Sequence, residues 1–390
     1  MTTDAQTTSS SSAGPVPLYH LSSQFRSWRY SEAELAEIRK NLNEQAVDRV
    51  RKLWEEEQSQ RHEKPPPAPA DPAPATSAAS GSGSAPPSQP ATPPPPSEIQ
   101  YLTVEDEQAL VTYYLTQVAA MCGAFKYPEI VTATAMTYLK RFYLRNTCMD
   151  YHPKNIMLTC VFLATKTENF ATSIDQFAAR IPNSSPSDIL SLEFLVSQSL
   201  HFEYKVHHAH VALNGLVLDM QSAGPDASSI AAALPKAQSY CRFSRLTSAE
   251  LVYTPSQIAL ACFRLADPAL VEQWLAAKES RKRDQPAEIE HTGADKGAGQ
   301  RAREAELERA EVGRVLDAVE ATVVHGQKHP VDKARVKEVD LRLRWARNPE
   351  KDPNSALFKK RKAEEEAERR EKDRAKMAKH PANDDSSVFD

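Results

Sequence analysis

The chain has 390 residues, with 48 basic and 52 acidic side chains and a formal net charge of -4. That balance argues against nucleic acid or a membrane surface as the main partner, and the longest apolar run is about half a bilayer span. The five cysteines are odd in number, lack Cys-x-x-Cys spacing and sit mostly in apolar runs, so they read as small buried hydrophobes of a reducing compartment. Met-Thr-Thr-Asp at the start has no apolar core for a signal peptide, so a soluble intracellular protein is expected.

Residues 1–17 are a Ser/Thr-rich tail expected to be disordered. Residues 18–62 carry a docking segment and a helix. Tyr19, Trp28 and Tyr30 are too apolar for a solvated linker, so this piece should dock on a surface. Ser31 and Glu34 form a capping box, and Leu35, Ile38, Leu42, Ala46, Val50 and Leu53 make a helical stripe that needs a partner. Arg39-Lys-Asn-Leu42 matches a degradation signal, but Leu42 lies in the apolar stripe and reads as a core-facing residue. Residues 63–98 are a linker, with 13 of the 28 prolines between 64 and 97.

From Ile99 to Lys278 only three glycines occur and hairpin signals are missing, so an all-α region is expected. The periodicity predicts helices over about 103–122, 128–145, 152–168, 174–181 and 185–200. The third, opening on Pro153, is apolar on nearly every side from Ile156 to Ala164 and must be surrounded by protein. It then turns polar at Lys166-Thr-Glu-Asn169. Tyr151 to Ala164 has a twin 102 positions later, Tyr253 to Ala266, with seven of fourteen positions identical. A period of that length implies one domain duplicated once. The second copy should hold helices over about 207–220, 228–246, 255–266, 268–278 and 309–325, with 280–308 as an inserted loop. The expected division is therefore a first repeat over 99–202, a second over 203–327, a C-terminal helix over 328–347 and a charged tail over 348–390. In that tail Phe358-Lys-Lys-Arg-Lys362 reads either as a nuclear import signal or as a solvated charge run. Glu364 to Lys379 suits an exposed helix laced with charge pairs.

No phosphate-binding loop, dinucleotide fingerprint or nucleophile elbow occurs. His207, His208 and His210 cluster at the entry to the second repeat, but without nearby Cys or acidic ligands they read as polar helix-entry residues, not a metal site. A duplicated helical scaffold with no reacting group points to a binding protein. No catalytic residue, cofactor or metal is assigned.

Two five-helix repeats, each with a wholly apolar third helix, resemble the tandem folds of the cyclin family. Met136 to Leu144, Tyr151 to Cys160, Tyr253 to Leu260 and the N-terminal Tyr19-His-Leu-Ser-Ser-Gln24 with Trp28 and Tyr30 resemble its cyclin H group. The resemblance implies an all-α protein of two tandem five-helix cyclin folds flanked by N-terminal and C-terminal helices, with disordered linkers. It further implies a nuclear, non-catalytic regulatory subunit of the cyclin-dependent-kinase-activating kinase. The partners would be a cyclin-dependent kinase 7 type catalytic subunit, a MAT1-type assembly factor and the core of transcription factor IIH. The substrate of the complex would be the C-terminal repeats of RNA polymerase II, with activation of other cyclin-dependent kinases in animals. In that family a Lys before the second helix and a Glu after the third grip the kinase. The matching positions are Lys126 and Glu168, the kinase-binding residues expected here. Many cyclins carry two acids where this chain has Glu168-Asn169, so the charge of the grip is lower. The first helix lacks the Met-Arg-Ala-Ile-Leu patch by which cell-cycle cyclins dock substrates. Two alternatives stay open: a transcription cyclin of the C or K type with a different kinase, and a tandem cyclin-fold general transcription factor that binds DNA. The DNA-binding alternative calls for a zinc ribbon and a basic face.

Overall fold

The computed structural model describes residues 17–63, 98–284, 298–328 and 331–379. Among these residues the chain is helical, with no strand. In chain order the helices are α1 (Ser23–Ser27), α2 (Glu32–Glu63), α3 (Val104–Phe125), α4 (Glu129–Phe142), α5 (Pro153–Thr167), α6 (Ile174–Ala178), α7 (Pro186–Ser199), α8 (Ala209–Ala223), α9 (Ala227–Ser244), α10 (Ala249–Val252), α11 (Pro255–Ala266), α12 (Pro268–Asp284), α13 (Ala298–Lys328), α14 (Lys333–Ala346) and α15 (Ala356–Lys379). No described helix is long and apolar enough to cross a membrane.

The chain divides into two compact units. One comprises residues 1–39, 109–145 and 153–333, and holds most of the first repeat and all of the second. The central helices are the twins. α5 starts on Pro153, whose missing N–H is harmless at that position, and buries Ile156 and an unbroken run from Leu158 to Thr165. It packs on α4 and α7. α11 starts on Pro255 behind a capping box in which Thr254 and Gln257 satisfy each other's backbone N–H groups. It packs on α8, α9, α12 and α13, with Ile258, Ala261, Cys262 and Phe263 in the core of the second repeat. All five cysteines are buried thiols.

Two cations on α4 carry much of this unit's polar framework. Lys140, on a helix that is otherwise core, directs Nζ to the carbonyls of Arg245 (2.8 Å) and Thr247 (3.0 Å) and to the Glu250 carboxylate (2.8 Å). Two of the ammonium's donors are met by carbonyls, and the carboxylate balances its charge. Arg141, 1% exposed, donates to the Glu203 carbonyl at 3.2 Å and lies 4.7 Å above the Trp28 ring. The aromatic N-terminal piece therefore docks on its own chain. Trp28 Nε1 donates to Glu203 Oε2 (2.6 Å), Gln24 pairs with the His207 backbone in both directions, and the Tyr30 N–H donates to the Leu251 carbonyl. Trp28, Leu35, Leu144 and Leu251 close an apolar cluster around these bonds.

The other unit comprises residues 40–108, 146–152 and 334–390. Its apolar side chains include Ala46, Val50, Leu53 and Trp54 of α2 and Val336, Val339 and Leu343 of α14, all buried. Burial of Ala46, Val50 and Leu53 means that this part of the helical stripe is covered. Buried Asp106 receives Arg335 and Arg342, and Trp54 Nε1 donates to the Arg347 carbonyl at 3.1 Å. Buried Glu57 accepts the backbone N–H groups of Ala356 (3.0 Å) and Leu357 (2.7 Å), placing a negative charge at the N-terminus of α15 where the helix dipole favours it. α15 begins at Ala356, eight residues before the exposed helix read from Glu364.

The loop expected over 280–308 needs correction. α12 continues to Asp284 and α13 already begins at Ala298, while 285–297 lies outside the described residues. The segment is poor in large apolar side chains but rich in Ala, Glu and Arg, which are strong helix formers. Arg309 of α13 also pairs with Glu272 and Glu279 of α12, holding the extension without a core. The expected disordered tail 1–17 and linker 63–98 lie almost wholly outside the described residues.

Two helical glycines, one in the middle of α8 and one in the last turn of α13, should respond oppositely to alanine. A Cβ on Gly215 of α8 meets nothing within 4 Å, whereas one on Gly326 of α13 would lie 2.5 Å from Thr247 Cγ2. Thr247 cannot turn aside cheaply, because its hydroxyl donates to the Ser244 carbonyl and accepts the Ala249 N–H. Thermal melts should show Gly215→Ala more stable by about 0.5–1 kcal/mol, and Gly326→Ala less stable by about 1–3 kcal/mol.

Candidate functional site

Lys126 and Glu168 both stand at helix ends of the same construction. At the end of α3 the Lys126 N–H donates to the Gly123 carbonyl (3.1 Å) and the Tyr127 N–H to the Cys122 carbonyl (2.9 Å). At the end of α5 the Asn169 N–H donates to the Lys166 carbonyl (3.3 Å) and the Phe170 N–H to the Thr165 carbonyl (2.8 Å). Each is a Schellman motif, which needs a left-handed residue and places an apolar one after it. Lys126 (φ 57°) and Asn169 (φ 56°) are the left-handed residues. The apolar followers, Tyr127 and Phe170, meet each other edge to face with centroids 5.5 Å apart. The two helix ends are joined through these rings, which places the exposed Lys126 and the half-buried Glu168 on neighbouring termini.

The backbone explains Asn169. Asn tolerates the left-handed conformation better than most side chains other than Gly, so a glutamate would strain this helix stop. Lys126 has no such excuse. A lysine held at φ 57° costs about 1 kcal/mol relative to Gly, and its side chain is exposed, so packing does not explain its presence.

Glu168 is held from behind. Its Oε1 accepts the hydroxyl of Thr134 on α4 at 2.6 Å, and the same hydroxyl lies 2.8 Å from Nε2 of His208. Thr134 and His208 are both buried. Burial, reinforced by His210 and Arg245, holds the His208 imidazole well below its usual range, so the ring is neutral. The His208 and His210 rings are 5.2 Å apart, and no group of His, Cys, Asp and Glu suited to a metal ion exists among the described residues. The twin helix ends differently. Asp267 accepts the Leu270 N–H (3.0 Å), so the position after α11 caps the start of α12 and presents no carboxylate like Glu168.

An exposed apolar face adjoins the site. On α7, Ile189 and Val196 point inward, while Leu190 and Phe194 point to solvent, Phe194 being 69% exposed. Phe202, in a third left-handed helix stop, is also exposed and lies 6.1 Å from Phe194, centroid to centroid. Lys166 of α5 pairs with Glu193 of α7 beside them. Sequence reasoning missed this face. The available signal was a Leu and a Phe four residues apart, out of phase with the inward residues of α7.

Residues 96–205 match the family model for the cyclin N-terminal domain, and residues 208–323 that for the cyclin C-terminal domain. The chain belongs to the cyclin family. Cyclin mcs2 of Schizosaccharomyces pombe is 28% identical over 353 residues, covering 89% of this chain and 90% of that cyclin. Cyclin CCL1 of Saccharomyces cerevisiae is 34% identical over 45% of this chain and 46% of its own length. Cyclin-H of Xenopus laevis is 36% identical over 42% and 53%. The chain thus spans about half the length of these last two relatives. Among solved structures, a chain of the CAK complex of Chaetomium thermophilum bound to ATP-gamma-S superposes with a TM-score of 0.63 at 23% identity, covering 95% of this chain and 97% of that one. A chain of the yeast TFIIK complex gives 0.53 at 24% identity, covering 78% and 100%. Both likenesses are of fold. The cyclin family is of a regulatory rather than a catalytic type.

The helix stop and the histidines yield two measurements. Lys126→Gly should raise stability by about 1 kcal/mol in a thermal melt, because it removes the left-handed strain. Burial, aided by Arg245, also pushes His210 down, to about 4. Between that value and the ordinary histidine range near 6.5 the unfolded chain binds the extra proton and the folded one does not. Stability is therefore full above about pH 6.5 and falls as pH drops towards 4. Urea titrations across this range should show the slope, and His210→Gln should reduce it, leaving the share contributed by His208.

Proposed function

We propose that this cyclin is the regulatory subunit of a cyclin-dependent-kinase-activating kinase within transcription factor IIH. It binds and switches on a kinase 7 type catalytic subunit for phosphorylation of the RNA polymerase II C-terminal repeats. It contributes no reacting group itself. A MAT1-type assembly factor joins the pair, and the complex works in the nucleus, attached to the core of transcription factor IIH. Support for the class comes from the relatives named cyclin H, CCL1 and mcs2.

The observation that carries the reading is a half-buried carboxylate, Glu168, clamped at the end of a buried helix beside a lysine in a strained backbone. Lys126, Glu168 and the apolar face of Leu190, Phe194 and Phe202 together make a surface with charge at one end and apolar area at the other. A kinase needs its C-helix glutamate paired with the strand-3 lysine before it holds ATP productively. A cyclin surface that binds the kinase with that helix in place, and binds poorly with it displaced, shifts the population towards the active form. Taking a kinase from mostly off to mostly on requires about 5 kcal/mol of differential binding. Burying exposed apolar side chains, at about 1.5–3 kcal/mol each, supplies energy of that order, while the charged grip gives orientation.

Glu168→Lys should abolish kinase activation while circular dichroism shows normal helical content. Wild-type activity of the reconstituted complex with this variant would sink the assignment of the grip. Affinity purification of the intact chain should bring down a kinase 7 type subunit in one-to-one ratio. Recovery of a different cyclin-dependent kinase would move the chain to another transcription cyclin class.

A further inference from the structure

We propose that Thr134 and His208 are positioning residues, which hold the Glu168 carboxylate in its kinase-gripping orientation from the far side of the inter-repeat boundary. This rests on the assignment of Glu168 to kinase binding and explains how that residue is made ready.

The hydrogen-bond logic admits one arrangement. A carboxylate at neutral pH only accepts, so the Glu168 contact at 2.6 Å uses the single hydroxyl proton of Thr134. The Thr134 oxygen can then only accept from its other neighbour. Nε2 of His208, 2.8 Å away, must carry the ring proton and donate it. The neutral histidine is thereby fixed in one tautomer, and a directed chain runs from His208 through Thr134 to Glu168. Any other proton placement leaves two acceptors facing one another in a buried site.

This is more than the satisfaction of buried groups. Glu168 is half-buried and reaches water, so it has no need of Thr134. Thr134 likewise has a simpler option, which Thr137 on the same helix takes. Thr137 donates to the Ala133 carbonyl one turn back, at 3.0 Å. Thr134 instead directs its proton at a residue 34 positions away. His208 stands at the N-cap position of α8, yet its side chain makes no capping bond and turns to Thr134. Two side chains thus forgo local partners, Thr134 to meet the Glu168 carboxylate and His208 to meet Thr134. A free glutamate must lose its rotamer freedom when it grips a partner, at a cost of about 1.5–2 kcal/mol. Ordering it beforehand removes part of that cost from binding. Because His208 opens the second repeat, a repeat with no carboxylate of its own at this place supports the grip of the first.

The test uses the full chain, a purified kinase 7 type subunit and equilibrium binding. Thr134→Val keeps shape and removes the hydroxyl, and should weaken kinase binding about 5- to 10-fold, the ratio expected for loss of one positioning hydrogen bond. Thr134→Ser restores the hydroxyl and should bind within about twofold of wild type. His208→Leu should weaken binding, and His208→Gln, whose amide still donates, should largely preserve it. Glu168→Ala should weaken binding at least as much as Thr134→Val, and the double variant no more than Glu168→Ala alone, since the threonine acts only through the carboxylate. Thermal melts of each variant separate these effects from folding, and the histidine pair tests the chain from a second helix if Thr134→Val folds poorly. If Glu168→Ala weakens binding while Thr134→Val and His208→Leu do not, the positioning role is overturned and the grip stands. Multiplicative losses in the double variant overturn it as well. If Glu168→Ala leaves binding unchanged, the grip itself fails, and positioning falls with it.

Discussion

Two adjacent cations on α4, Lys140 and Arg141, are nearly out of reach of water, and the repeat-bearing unit is assembled around them. Lys140 reaches the backbone carbonyls that end α9 and the carboxylate of α10, so it ties the first repeat to the second. Arg141 reaches the carbonyl of Glu203, between the repeats, and stacks on Trp28 of the N-terminal segment. Removing a partner from a buried charge typically costs about 3–5 kcal/mol, because the other charge is left without water or a ligand. Burial pulls both cations below their ordinary ranges, with Glu250 the main opposing influence. Apolar packing alone would let two similar repeats slide or rotate against one another. Directed bonds from neighbouring residues on one helix leave a single arrangement, and that arrangement puts His208 within reach of Thr134.

Much of this was legible in the sequence, and what was not has identifiable physical causes. The apolar run from Ile156 to Ala164 and its twin after Tyr253 revealed central helices in duplicate, because burial on every side leaves no polar stripe. Lys126 and Glu168 came from the resemblance alone, since an exposed lysine and glutamate carry no signal in composition. Lys140 and Arg141 read as ordinary surface charges until the carbonyls that neutralise them are seen, and those lie more than 60 residues away. The helical stops at Lys126 and His201 were invisible because neither residue is Gly or Asn, the usual marks of a left-handed stop. The first turns of α13 were missed because charge pairs and helix propensity hold them in place of an apolar face. His208 was dismissed as polar padding because its partner, Thr134, is 74 residues distant.

The two repeats share a core plan and divide their labour at the surface. After α5 the chain makes a stop that leaves a carboxylate and an aromatic residue outside. After α11 the next residue, Asp267, caps the following helix, and Arg264 nearby is occupied by Asp317 and Glu320 of α13. One copy thus leaves its helix end open to solvent, and the other closes the same end on its own helices.

The docking of the N-terminal segment bears on the order in which the protein is made. Trp28, Arg29 and Tyr30 find their partners at Glu203, Val252 and Leu251, some 175 to 223 residues further along the chain. At about 5–20 residues per second of synthesis, a wait of roughly 10–40 seconds separates the emergence of Trp28 from that of its binding surface. For the later part of that interval the segment can meet Arg141 and Leu144 but not its partners from Glu203 onward. A ribosome stalled before residue 250 would carry the helices of the first repeat, with the second repeat still lacking its central helix α11 and the N-terminal fastening to Val252 and Leu251 still open.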